Sequence, residues 1–365
     1  MDVAEAPERV VVIGTGLIGT SIALALREHG TEVLLDDRDP VALRLAAELG
    51  AGVPLPEAAL ARRADLAVLA VPPGAVAATL RDAQKRGLAR AYTDVASVKD
   101  RPLREAAELG CDLRGFVAGH PLAGRERSGP AAARGDLFLG RTWALCPTAA
   151  TAPEAVAAVT GLVRACGARP LTVAPAEHDR AVALVSHGPH VVAAATAARL
   201  EGADDVALRL AGQGVRDVTR IAASDPELWI GILTANAEPV AGVLESVAAD
   251  LARAAAALRG DVPADGLAEA LRELLGRGNA GRARIPGKHG ERAPAYAVVS
   301  VVIPDRPGEL ALLFQAAGVA GVNIEDVTIE HSPGLPVGVA ELAVRPEAAE
   351  RLAGELRARG WSVPG

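Results

Sequence analysis

The segment from Val10 to Gly30, VVVIGTGLIGTSIALALREHG, constrains the fold more than any other part of the chain. Val10 to Ile13 is a β-branched run, and Gly14, Gly16 and Gly19 follow it in GxGxxG spacing at the head of a periodic, Ala- and Leu-rich stretch. By itself the pattern is weak; between a strand and a helix it marks a turn that holds phosphates. Gly14 permits the tight turn, Gly16 lets the backbone approach a pyrophosphate, and Gly19 lets helix and strand pack closely. The helix start at Leu17 and Ile18 adds free N–H groups and the positive end of the helix dipole. A side chain at Gly16 is expected to block a dinucleotide.

The second strand ends in Leu35-Asp36-Asp37-Arg38-Asp39-Pro40, about eighteen residues beyond Gly19. A carboxylate there accepts both ribose hydroxyls of NAD and repels the 2′-phosphate of NADP. Strand alternation favours Asp37, with Asp36 second. Arg38 is the complication, because a cation just past the strand is also how NADP is accommodated; NAD is the expected cofactor. Val71-Pro72 follows the next long strand, where such sheets turn over the cofactor.

From Arg9 to about Val173, short β-branched runs alternate with Ala-rich helical stretches, which predicts a parallel, doubly wound α/β sheet over residues 1–174. The expected strands are Val10 to Ile13, Glu32 to Leu35, Leu66 to Val71, Ala91 to Val95, Phe116 to Ala118, Thr142 to Cys146 and Arg169 to Val173. Between 175 and 276 the strand signal vanishes. Helices there are apolar around much of their circumference, so they must be buried on several sides, and an all-α homodimer interface is expected. Residues 277–294, rich in Gly, Arg and Pro, read as a linker. Residues 295–365 resume an α+β pattern in the order βαββαβ, with a short last strand near Trp361 to Val363, which is ferredoxin-like.

Charge and cysteine content exclude several classes. Net charge is -7 with acidic and basic residues interspersed, so neither nucleic acid nor an anionic membrane is an expected partner. Cys111, Cys146 and Cys166 form no CxxC pair and suit a reducing cytoplasm. The first nine residues lack the basic region of a signal peptide. Each apolar segment reads as interrupted by charge or Gly before the length of a membrane span.

Four of the seven histidines lie in settings that suit chemistry: His120, His178, His187 and His190. His120, in GHPLAG, follows a predicted strand at the carboxyl edge, where open α/β sheets bind ligands. Ser97, in DVASVK, emerges from the preceding strand on the same edge, and its hydroxyl is placed to bond the imidazole and fix its tautomer. His187 and His190, in SHGPH, share a helix face, with Pro189 expected to kink the helix between them. No carboxylate or thiolate completes a zinc set around the pair, so no metal is expected. Ser224 and Glu227 read as a capping box with Pro226 in the first turn. Arg220, just before that turn, is a candidate clamp for a substrate carboxylate.

GHPLAG, DVASVK, SHGPH and DVTRIAASDPELW, in this order behind a dinucleotide fingerprint, resemble the prephenate dehydrogenase family over nearly the whole chain. The resemblance implies oxidative decarboxylation of prephenate to 4-hydroxyphenylpyruvate on the route to tyrosine, with hydride transfer to NAD. It places His120 at the substrate's ring hydroxyl, Ser97 in support and Arg220 on a carboxylate. His187, His190, Glu126 and Trp229 then line or gate the pocket. Arogenate, which carries an amine in place of the side-chain ketone, remains the alternative substrate, with Gln213 and the histidine pair as candidate discriminators. The tail, IPDRPGEL followed by GVNIED, resembles the ACT regulatory module, which implies an amino-acid effector, with tyrosine expected, at Gly308, Asn323 and Ile324. A non-catalytic NAD-binding sensor is the reading furthest from this one. A β-hydroxyacid dehydrogenase is excluded, because no lysine occurs between Lys99 and Lys288.

Overall fold

The computed structural model describes residues 6–56, 62–124, 128–260, 264–286, 296–331 and 336–364. The chain divides into two compact units, Met1–Val247 and Ala248–Gly365.

The first unit is built on an eight-stranded sheet. Its strands are β1 (Arg9–Ile13), β2 (Glu32–Asp36), β3 (Val53–Pro54), β4 (Ala64–Leu69), β5 (Ala89–Asp94), β6 (Phe116–Pro121), β7 (Thr142–Cys146) and β8 (Arg169–Thr172). They lie in the order β3-β2-β1-β4-β5-β6-β7-β8. The first six reproduce the 3-2-1-4-5-6 order of a Rossmann sheet. Alternate residues of the central strands enter cores on opposite faces. Val10, Val12, Leu66, Val68 and Leu145 face α1 (Leu17–Glu28) and α5 (Pro153–Ala165). Val11, Ala67, Leu69, Phe116 and Ala118 face α3 (Val76–Lys85) and α4 (Asp100–Glu108). A strand covered on both sides has no polar face, which is why these runs are apolar throughout rather than alternating.

The parallel order breaks once, against expectation. β7 runs antiparallel to β6, with Pro121 opposite Trp143 and Ala118 opposite Cys146. Between them only a short 3₁₀ turn, Pro130–Ala132, forms among the described residues, so no crossover helix carries the chain back to the other edge before β7 begins. Parallel order resumes with β8. The two-residue β3 is an edge strand that no β-branched run signalled.

Helices follow: α6 (Pro175–Val182), a π-helical turn (Ala183–His187), α7 (Gly188–Ala198), α8 (Asp205–Arg209), α9 (Gln213–Thr219), a 3₁₀ turn (Arg220–Ala222) and α10 (Pro226–Ala235). The run Pro175–Ala198 is continuous, and by length and composition alone it suffices to cross a membrane, contrary to the expected interruption. Its polar residues His178, Asp179, His187 and His190 are buried within the unit. The π turn falls immediately before Pro189, which lacks the N–H that would continue the ladder. Gly188 is required by packing, since a Cβ there would lie 2.6 Å from Val243 Cγ1 and 2.9 Å from the Ala183 carbonyl oxygen. Helix α11 (Ala237–Arg259) runs across the division between the units.

In the second unit α12 (Ala264–Ala283) continues well into the segment expected to be a linker; its Arg277 pairs with Asp250 at 2.7 Å. The remainder of that segment, 287–294, lies outside the described residues. Then come β9 (Ala297–Pro304), α13 (Glu309–Val319), β10 (Asp326–His331), β11 (Val337–Val344) and α14 (Pro346–Ala358). The strands form an antiparallel sheet in the order β10-β11-β9, with Val301, Ala340 and Leu342 packed on Leu313 and Leu352 of the two helices. In place of the expected last strand, the chain end makes a single bridge, Ser362 to Val302.

Candidate active site

Chemistry on such a sheet belongs at the carboxyl edge, and both halves of the site lie there. Gly14, at φ +100°, makes the turn out of β1; a Cβ there would sit 2.2 Å from the Ala70 carbonyl oxygen. At Gly19 a Cβ would meet the Gly14 carbonyl oxygen at 1.9 Å, so these two glycines serve close packing of β1, α1 and β4. Gly16 is different: nothing lies within 4 Å of its Cβ position, which leaves the N-terminus of α1 open to an anion. Leu17 and Ile18 supply the first turn of α1 and are half-buried.

Asp37 closes the cradle. Its Oδ2 accepts from the Thr15 backbone N–H (2.5 Å) and the Thr15 hydroxyl (2.8 Å), while Oδ1 accepts from the Asp39 N–H (2.9 Å). Asp36 is instead tied to Arg86 at 2.8 Å. Thr15, which links carboxylate to loop, gave no signal in the sequence. Arg38 and Pro72 are exposed and Val71 is half-buried. The cradle therefore fits a dinucleotide: open backbone N–H groups for the pyrophosphate, and a carboxylate beside them for ribose hydroxyls.

His120 stands on β6. Its Nδ1 lies 2.9 Å from His178 Nε2, and His178 Nδ1 lies 2.8 Å from Asp179 Oδ1. Asp179 is held in turn by the start of α4, accepting from Lys99 N at 2.8 Å and Asp100 N at 2.9 Å. A carboxylate at a helix N-terminus is stabilised by the helix dipole. Beneath His120, the Lys99 ammonium is completely buried, paired with Asp94 and donating to the Gly119 carbonyl at 2.6 Å. Burial, and then the nearby Lys99 charge and the His178 and His187 rings, hold the His120 imidazole well below the ordinary histidine range. The lowered pKa favours the neutral form, the form a proton acceptor needs. Among the described residues Ser97 makes no hydrogen bond to His120; the imidazole's partner is His178.

The histidine pair also has partners that the sequence left unnamed. Asn236, just past α10, donates to the Asp179 carbonyl at 2.9 Å and lies 3.1 Å from His187 Nδ1. Burial lowers His187 to about 4. His190 stacks on Trp229 with ring centroids 3.5 Å apart and meets Ser224 Oγ at 3.1 Å; burial lowers its pKa as well. Ser224 is therefore not the helix cap. Asp225, one residue nearer to Pro226, takes that role by accepting from the Glu227 N–H at 3.0 Å. Arg220 is exposed and makes no ion pair among the described residues, and Gln213 is exposed and bonded to Asp217 at 2.8 Å. Glu126 lies outside the described residues.

In the second unit Gly308, at φ +92°, opens α13. Asn323 is exposed and donates to Glu325 at 2.7 Å, while Ile324 packs on the small sheet's core.

A dinucleotide cradle and a desolvated imidazole on the same sheet edge are the parts that hydride removal from an alcohol requires, and they define a dehydrogenase. Models of the prephenate dehydrogenase nucleotide-binding domain and dimerization domain match residues 22–172 and 174–275. The chain belongs to the prephenate dehydrogenase family. It is 46% identical to the probable prephenate dehydrogenase NovF of Streptomyces niveus, over 96% of this chain and 98% of that one. Among solved structures, it is similar to prephenate dehydrogenase from Aquifex aeolicus in complex with hydroxyphenyl propionate and NAD+. That match has 27% identity and a TM-score of 0.65, and covers 75% of this chain and 98% of that one. Synechocystis arogenate dehydrogenase matches at 29% identity and a TM-score of 0.62, over 75% of this chain and 99% of that one.

Proposed function

We propose that this chain is an NAD-dependent prephenate dehydrogenase that converts prephenate to 4-hydroxyphenylpyruvate and carbon dioxide in tyrosine biosynthesis. The observation that carries the reading is the half-buried imidazole of His120, bonded to His178 on the cradle's edge of the sheet. Full-length similarity to NovF supports the substrate, and the NAD+ complex of the Aquifex aeolicus relative supports the cofactor.

When bound in the cradle, NAD supplies the hydride acceptor. The substrate's carbinol C–H bond breaks with its electron pair, and the ring hydroxyl loses its proton to His120. Loss of the para carboxylate as carbon dioxide then returns an electron pair to the ring, and the same oxygen recovers the proton as a phenol. Positioned base catalysis of this kind contributes roughly 10²–10⁴-fold. Ser97 supports the hydroxyl end, and Arg220 takes a substrate carboxylate. His187, His190, Gln213 and Trp229 line the pocket.

Beyond the catalytic unit, the small antiparallel sheet with its two helices and the bridge at Ser362 supports a ferredoxin-like ACT module, with tyrosine as effector at Gly308, Asn323 and Ile324. The matched dimerization domain supports a homodimer, and the biosynthetic role a cytoplasmic location.

The decisive assay follows reduced nicotinamide with prephenate and arogenate in parallel, with NAD or NADP, with and without tyrosine. Turnover of prephenate with NAD is expected. Turnover of arogenate alone would transfer the mechanism to the second substrate, a reading favoured by the Synechocystis relative.

A further inference from the structure

The geometry points to His178 and Asp179 as positioning residues that fix the tautomer of His120 and share the charge it acquires. The inference rests on His120 being the base of the proposed reaction.

Asp179 accepts from two backbone N–H groups, so its carboxylate is anchored, and it accepts only. His178 Nδ1, 2.8 Å from that carboxylate, must carry a proton. When that is its only ring proton, His178 offers a lone pair at Nε2, to which His120 Nδ1, 2.9 Å away, donates. This leaves the lone pair of His120 on Nε2, which has no partner among the described residues, and that nitrogen is the one free to take a proton. With the opposite polarity, His178 donating to Nδ1, the His120 Nε2 would carry hydrogen and the ring would have no lone pair for substrate. Both His178 and Asp179 are 3% exposed, so water does not compete for these bonds.

The step balances. The substrate O–H bond breaks and an N–H bond forms at His120 Nε2; the positive charge spreads through the Nδ1–H to His178 and is met by the Asp179 carboxylate. When the phenol forms, the Nε2 proton returns to the oxygen and the three groups recover their starting states. Docking of α6 alone would not require this, because Asp179 makes the docking bonds without the His178 ring.

The test compares His178→Leu, which removes the acceptor, with His178→Gln, whose amide oxygen restores it. Loss of tautomer control in a carboxylate–imidazole site costs about 10⁴-fold in the best-studied hydrolase. Here His178→Leu is expected to lower kcat by about 100-fold or more, within the range of positioned base catalysis. KM and NAD affinity are expected to change by less than about threefold. His178→Gln is expected to recover at least about tenfold of that loss. In ¹⁵N-histidine spectra of the wild-type protein, assigned with His120→Asn, His120 is expected to show a protonated Nδ1 and an unprotonated Nε2. Undiminished kcat in His178→Leu, or a protonated Nε2 on neutral His120, would overturn the inference. If the leucine variant does not fold, the glutamine variant and the wild-type spectrum still decide. Silence of the wild type with prephenate and arogenate would instead sink the proposed reaction, while the spectrum would still report the tautomer.

Discussion

If His120 is the base of the proposed reaction, its pKa sets the acid limit of activity. A group whose folded pKa lies below the ordinary 6.5 stays deprotonated through neutrality and is lost as a base only when pH falls through the lowered value. The acid limb of kcat/KM is accordingly expected well below pH 6.5, and a limb at or above 6.5 would show that another group titrates. His120→Asn is expected to lower kcat by roughly 10²–10⁴-fold, with NAD affinity unchanged in a direct binding measurement. In the proposed role, Arg220→Ala would remove a charge-assisted bond to a substrate carboxylate worth about 1.5–3 kcal/mol. It is expected to raise KM by about tenfold or more with a smaller effect on kcat, whereas an unaltered KM would place the carboxylate elsewhere. Residues of this kind were legible because their motifs are contiguous: glycines after a strand, a histidine at a strand end, a histidine pair on one helix face. The partners were not. Thr15 and Asn236 act through contacts 22 and 49 residues away in sequence, and the capping role moved from Ser224 to Asp225 on a one-residue difference in reach.

Elements followed the same division between local and distant causes. Seven of the eight strands of the first sheet lie nearly where the sequence runs placed them, and for the central ones burial on both faces leaves a continuous apolar signature. The reversal of β7 was not legible, since direction depends on what connects two strands and not on the strands themselves. Pro189 announced a disturbance in its helix, and the structure gives its form, a π turn ending at His187. The neighbouring Gly188 permits the close approach of Val243. Gly188→Ala therefore overpacks this contact and is expected to destabilise the protein by about 1–3 kcal/mol, typical of forced repacking; denaturant titration would measure it. An unchanged midpoint would show that α11 yields freely.

For the molecule as a whole, pH is a lever on stability through His187. Its folded pKa of about 4 lies below the unfolded value near 6.5. Between those values the unfolded chain binds a proton that the folded one refuses, so this residue's stabilising contribution is complete above pH 6.5 and is lost as pH falls towards 4. Tm is expected to drop across that window, and to drop less in His187→Gln; equal slopes would assign the acid sensitivity to other groups. The amide network through Asn236 ties this titration to Asp179. That single aspartate seats α6 on the start of α4 and ends the hydrogen-bonded line from His120. On the proposed mechanism, loosening the helical segment from the sheet would also disarm the base. If His120 is the base, turnover doubles as a gauge of whether α6 is seated on the start of α4.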